Sequence, residues 1–331
     1  MFLFGLVKGP SGLDPLLLLL LALIVDTLVG PSLSARAVSI HPLNGFANLV
    51  RWFDRKLNRE RRSAATRAGR GALIVAILVT IAGLAGWLVA LAARQIPHGF
   101  LLELVAIVLL IDQRAVHEHV RRVGAALTSE SLGAAREKLN AVGGGGAERM
   151  DAFAIARTAI EISARSFAYG VVAPAFWYAF FGLPGLCVLR AAAVIDDVVG
   201  EPTERNRAFG FAAARFNEAL LMIAAPIAGA LLLIASLFVP TAKPGRAARA
   251  MLGHNGPYRS RAMGWPVGAV AGALGLALAG PKRGTYASQA WIDAGTAQAT
   301  PLDVRRALFL FTVACLLNGT LVAGAALGRL M

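Results

Sequence analysis

Apolar runs about as long as a bilayer is thick recur along this chain, and they constrain its fold more than any other feature. A helix rises about 1.5 Å per residue and the hydrocarbon core is about 30 Å deep, so about twenty apolar residues are needed to cross. Leu13 to Gly30, Ala72 to Ala93, Ala219 to Val239 and Arg306 to Leu327 meet that length. Phe100 to Asp112 is a shorter run, and Gly170 to Leu189 and Met263 to Gly280 are apolar but punctuated by Gly and Pro. With 57% hydrophobic residues and a mean hydropathy of +0.63, the 331 residues cannot form one ordinary soluble domain. The reading is an all-α, polytopic helical membrane protein of about five to seven membrane segments. Counting gives seven if both punctuated runs cross; their Gly and Pro content equally admits re-entrant hairpins, tolerated where they line a protein cavity.

Charge agrees with that reading. The net charge of +14 is carried by loops beside apolar runs. Arg51, Arg55, Lys56, Arg59, Arg61, Arg62, Arg67 and Arg70 face only Asp54 and Glu60, and Lys243, Arg246, Arg249, Arg259 and Arg261 form a second basic loop. Basic loops stay in the cytoplasm. The expectation is a multi-pass protein of the bacterial inner membrane with a periplasmic N-terminus, its loops touching anionic lipid headgroups. No stacking-aromatic pattern accompanies the charge, so no nucleic-acid partner is expected. Cys187 and Cys315 sit in apolar runs and read as small core residues. Asp14 and Pro15 precede the first run and no clean small-x-small site follows it, which argues against a cleaved signal peptide.

Three regions follow, expected to act as one integrated domain: transmembrane segments with a basic loop at 1–112, a polar helical cytoplasmic segment at 113–168, and a C-terminal membrane region at 169–331. The Phe100 run is expected to continue as an amphipathic helix through Val116, Val120 and Val123. Thr128-Ser-Glu-Ser131 offers helix-start chemistry. Gly143 to Gly146 reads as a hinge, because no Lys-Ser/Thr follows as a P-loop requires. His117 and His119 are two apart, hence on different helix faces, and make a poor metal pair.

The stretch from Glu161 to Gly200 holds the densest chemistry. It enters an apolar run at Gly170, turns at Gly182-Leu-Pro-Gly185 and returns to Asp196-Asp197 ahead of Gly200. Adjacent carboxylates at the end of an apolar hairpin are costly unless they meet water, a cation or a ligand. Here the chain resembles the membrane-bound adenosylcobinamide-phosphate synthase family of cobalamin biosynthesis. That family reads Glu-x-x-Ala-Glu-Asn-x-x-Asp-Gly-x-x-Ala-Pro, then Gly-x-Pro-Gly, then Lys-Ala-x-Asn-Thr-Leu-Asp-Ser-Met-x-Gly-Tyr. Glu161, Ala164, Gly170, Ala173, Pro174, Gly182, Pro184, Gly185, Asp196 and Gly200 match, and Arg190 stands for the Lys. Arg165, Ser166, Tyr169, Ala193, Asp197 and Glu201 depart from it. Elsewhere Asp26, Gly30 and His41-Pro42 match, Arg215 matches with Asn217-Glu218 as a partial stand-in, and Ser260, Gly264-Trp-Pro266 and Ala271 to Gly275 match.

The resemblance, running from about Asp26 to Trp291, implies ATP-dependent amide formation between adenosylcobyric acid and aminopropanol or its phosphate. It implies Mg2+ held by Asp196 and Asp197, with Glu161, His41 and Asp26 completing the catalytic set. Arg190, Arg215 and Ser260 would meet the nucleotide, and a corrinoid would be the large substrate. Because polar positions changed while Gly and Pro stayed, a second reading stands beside it: a non-catalytic member of the fold, acting as a scaffold or accessory subunit with other membrane proteins.

Overall fold

The computed structural model describes residues 13–37, 42–142, 146–201, 203–253, 260–280, 291–293 and 295–330. They form thirteen α-helices, two short 3-10 helices and one two-stranded sheet. The helices are α1 (Pro15–Ala37), α2 (Pro42–Leu57), α3 (Ala64–Gln95), α4 (Phe100–Leu110), α5 (Gln113–Ser129), α6 (Leu132–Asn140) and α7 (Ala152–Phe167). A π turn at Ala168–Val172 joins α7 to α8 (Ala173–Val199). Then come α9 (Asn206–Phe209), α10 (Phe211–Ala235), α11 (Pro244–Leu252), α12 (Arg261–Leu274) and α13 (Pro301–Leu330). Strands β1 (Leu278–Ala279) and β2 (Trp291–Ile292) pair antiparallel, Leu278 opposite Ile292.

Among the described residues, four stretches are long and apolar enough to cross a membrane: Ala64–Gln95, Ala152–Val199, Phe211–Phe238 and Pro301–Arg329, with a shorter apolar helix at Pro15–Val29. This is a polytopic helical membrane protein. The second stretch, 48 residues, would be roughly 72 Å as one straight helix, over twice the hydrocarbon depth. It is divided instead. The π turn interrupts it at Gly170, and Gly182 breaks it with φ 63° and ψ −157°, a backbone state open to glycine alone. Gly185 closes that corner, since a Cβ there would lie 2.5 Å from Phe181 Cβ and 2.7 Å from the Trp177 carbonyl.

Helix α12, with 14 residues, rises only about 21 Å and is too short to cross. Its fourteen residues are almost wholly buried, starting at a Ser260 cap and ending at Gly275 in the left-handed region. By length α12 is not among the stretches able to cross on its own. The glycine spacing explains how it packs: a Cβ on Gly272 would meet the Arg246 carbonyl at 2.4 Å, and one on Gly268 the Ala250 carbonyl at 2.8 Å. Backbones of α11 and α12 thus touch directly. The Phe100 run does not continue unbroken into α5. It stops at Ile111, which is extended, and α5 restarts at Gln113 with Val120 and Val123 buried. Ser131 does cap α6, accepting from the Ala134 amide at 3.2 Å.

The chain divides into two compact units, one of residues 1–111, 173–220 and 322–331, the other of 112–172 and 221–321. In the first, Val50, Ile74, Val75, Leu78, Ile195, Val199, Phe209 and Ala213 make a core from α2, α3, α8, α9 and α10. Small residues let α3 and α8 approach: a Cβ on Gly86 would sit 2.9 Å from both Cys187 Sγ and the Leu183 carbonyl. In the second unit α5 packs on α6 and α7, and α12 on α7 and α11.

Candidate active site at the end of α8

Asp196 lies in the last turn of α8, half-buried, and Asp197 beside it is exposed. Asn217 of α10, itself buried, donates from Nδ2 to Asp196 Oδ2 at 2.8 Å. The carboxylate is hemmed from its other side by Gly200, whose amide donates to the Asp196 carbonyl at 2.7 Å. A Cβ on Gly200 would lie 1.7 Å from Asp196 Oδ1, so only glycine fits. The matched pair Asp196 and Gly200 is thus one steric unit. Arg215, exposed on α10, has its guanidinium 5.4 Å from the centre of the Phe211 ring. Glu218 follows on the same helix.

The loop between Asp196 and Asn217 is clasped to the connection between α2 and α3. Arg67, a buried cation, donates from Nε to Asn58 Oδ1 at 2.8 Å and from Nη2 to the Arg205 carbonyl. Asn58 Nδ2 donates to Asp54 Oδ1 at 2.8 Å and to Asn206 Oδ1 at 3.1 Å. Asp54 also pairs with the Arg205 guanidinium at 2.8 Å. Beneath the clasp, a Cβ on Gly71 would overlap the Phe209 carbonyl at 1.9 Å. Sequence reading saw Arg67 only as one of a basic run. No local signal marks the bond to Arg205, which lies 138 residues away.

Other sequence-derived candidates stand elsewhere. Arg190 is buried in α8 and donates from Nε to the Leu110 carbonyl at 2.5 Å, at the C-terminus of α4. A cation there satisfies a helix-end carbonyl and meets the negative end of the dipole. Asp26 is buried in α1. Arg190 and Asp26, like Asp196, Asp197 and Arg215, belong to the first unit. Glu161 and Ser260 belong to the second. Glu161 is buried in α7, 4.0 Å from the Arg165 guanidinium, and Ser260 caps α12 by accepting from the Met263 amide at 3.3 Å. His41 and Gly143 to Gly145 lie outside the described residues.

Among the described residues no group of three or more His, Cys, Asp or Glu side chains could hold a metal ion. An all-protein cage is therefore not on offer. A hard cation that keeps waters and binds through one or two carboxylates plus phosphate oxygens needs no such cage. Asp196 and Asp197 supply oxygen donors of that kind and number, so the residues fit Mg2+ arriving with a nucleotide.

The family model described as "CobD/Cbib protein" matches residues 19–311. The chain is similar to the cobalamin biosynthesis protein CobD of a Sinorhizobium species, 36% identical over 96% of this chain and 98% of that one. It is 34% identical to the protein of that name from Rhizobium meliloti, with the same coverage. Against the one from Rhodobacter capsulatus it is 31% identical, over 86% of this chain and 88% of the relative. No solved structure matches it.

Proposed function

Since the chain belongs to the CobD/Cbib family of cobalamin biosynthesis proteins, we propose that it joins an amino alcohol, free or phosphorylated, to a carboxylate of adenosylcobyric acid with ATP. The observation that carries this is the Asp196 carboxylate, held by Asn217 and shaped by Gly200 where an apolar helix meets polar loops. Such a group is oriented before any ligand arrives, which lowers the cost of organising a charged transition state. Mg2+, bound with nucleotide by Asp196 and Asp197, would neutralise phosphate charge. Arg215, exposed on the next helix, would meet phosphate oxygens.

A second reading is favoured by Arg190 and Ser260, which serve the chain's own helix ends. Under it the chain is a non-catalytic scaffold of a larger membrane assembly. Complementation of a bacterial strain lacking its own synthase separates the two. Growth on the cobyric acid precursor is expected from the wild type and is lost in Asp196→Asn, with nucleotide affinity falling at least about tenfold. A protein that never complements, in a strain where a relative does, leaves only the scaffold.

A further inference from the structure

The clasp around Arg67 reaches the Asp196 carboxylate through α9 and α10. Asn58, buried at its hub, accepts from Arg67 on Oδ1, while its Nδ2 donates to Asp54 Oδ1, to Asn206 Oδ1 and, at 3.3 Å, to the Arg205 carbonyl. Arg67 adds its own bond to that carbonyl, and Asp54 holds the Arg205 guanidinium. Directional contacts from α2, α3 and the turn between them thus converge on Arg205 and Asn206, where α9 begins. Phe209 of α9 is buried with Ile195 and Val199 of α8 in the core of the first unit. Gly210 then turns the chain into α10 hard against α8, since a Cβ on it would lie 1.7 Å from the Val199 carbonyl oxygen. Asn217 follows two turns later, about 10 Å along α10.

A buried cation and a buried amide are poor devices for stability alone. Desolvating them offsets much of what their bonds return, and apolar side chains of similar volume would often fill the space as well. What they add is direction. Contacts among Val50, Ile74, Val199 and Phe209 are apolar and non-directional, so they permit a small slide of α9. Hydrogen bonds to one carbonyl and one amide oxygen do not. A slide of about 1 Å at Asn206, carried along α10 as a rigid helix, would take Asn217 Nδ2 out of its 2.8 Å contact with Asp196 Oδ2. We infer that Asn58 and Arg67 are positioning residues for the Asp196 site: they set the register of α9 and, through it, the Asn217 side chain that orients the carboxylate. The dependence of turnover on them rests on the activity proposed above; the positioning itself does not.

The test uses the full-length protein in detergent with isotope-labelled asparagine, so that the Asn217 side-chain amide is read by NMR and assigned by its loss in Asn217→Ala. Arg67→Lys keeps the charge but not the planar fork that reaches Asn58 and Arg205 together. In it the Asn217 signal is expected to move to the place it takes in Asp196→Ala, where the bond is gone. In turnover, kcat is expected to fall about tenfold or more with KM for the amino alcohol unchanged. Arg67→Lys combined with Asn217→Ala should lose no more than Asn217→Ala alone, because both act on one contact. A residue that only held the fold together would lower the melting temperature, leave the Asn217 signal in place and multiply its loss with that of Asn217→Ala. An unmoved signal in folded Arg67→Lys, or losses that multiply, therefore overturns the inference. Should Arg67→Lys not fold, Asn206→Ala, at a half-buried position, takes its place with the same expectations and the same grounds for rejection. A wild type without turnover sinks the synthase reading alone, since the Asn217 signal still decides whether the clasp sets the carboxylate.

Discussion

Single residues show where sequence reading reaches and where it stops. Asp196 was legible because two carboxylates at the end of an apolar run are costly without a purpose. Its orienting partner Asn217 was visible only as an acid-amide pair, since nothing local says that Nδ2 turns to Asp196. Glu103 is an acid within an apolar run, but nothing local signals its hydrogen bond with Tyr178, 75 residues on. On α5, outside the membrane segments, His117 and Glu118 are legible only as charge. The structure gives them opposite preferences. Burial, then the nearby Arg114 charge, holds the His117 imidazole below its usual value. Hydrogen bonding from Arg121 leads in holding Glu118 down, to about 2. Both make the unfolded chain bind protons first, so both withdraw stability as pH falls. His117 acts from about 6.5 downward and Glu118 from about 4.5 towards 2. Melting temperature in detergent is expected to fall between pH 7 and 3, with His117→Phe flattening the upper part and Glu118→Gln the lower. Both arginines of the Glu118 pairs are more than half exposed, so that lower limb is shallow and should vanish in high salt. A Glu118→Gln curve with the wild-type acid limb would show that the pairs are not formed.

At the scale of elements, helix existence followed from apolar length, and helix breaks followed from Gly and Pro. The break at Gly182 and the cap at Ser131 were both readable in that way. Whether α12 crosses was not, because its composition suits either form and only its length of 14 residues decides. The stop at Ile111 was missed for a related reason: hydrophobic period runs through an extended residue without a change of composition. Close contact between α11 and α12 gives a sharp test. Gly272→Ala places a methyl 2.4 Å from the Arg246 carbonyl and is expected to cost about 1–3 kcal/mol or to abolish folding. Gly245→Ala, with nothing within 4 Å, is the control and is expected to be near neutral. Equal melting temperatures for the two would mean that the helices do not meet backbone to backbone.

For the whole molecule, the membrane class was dictated by the recurring runs, while the interleaving of two units was not. Units assembled from three and two separate segments leave no composition shift at a boundary. The basic loops predict an orientation, in which a reporter fusion after Arg62 reads cytoplasmic while one at Pro97 reads periplasmic. The opposite pattern would invert the side on which nucleotide could reach Asp196. The Arg67 clasp has a consequence for biogenesis. During synthesis the first basic segment cannot complete the partners of the Arg67 guanidinium until Arg205 has left the ribosome and come back to it. Nascent chains halted before Arg205 should therefore leave Arg67 open to trypsin, and those extended past Phe216 should protect it. The chain seals its earliest polar turn with one of its later ones, so quality control by proteolysis could discard an unfinished copy before its acidic helix end is ever assembled.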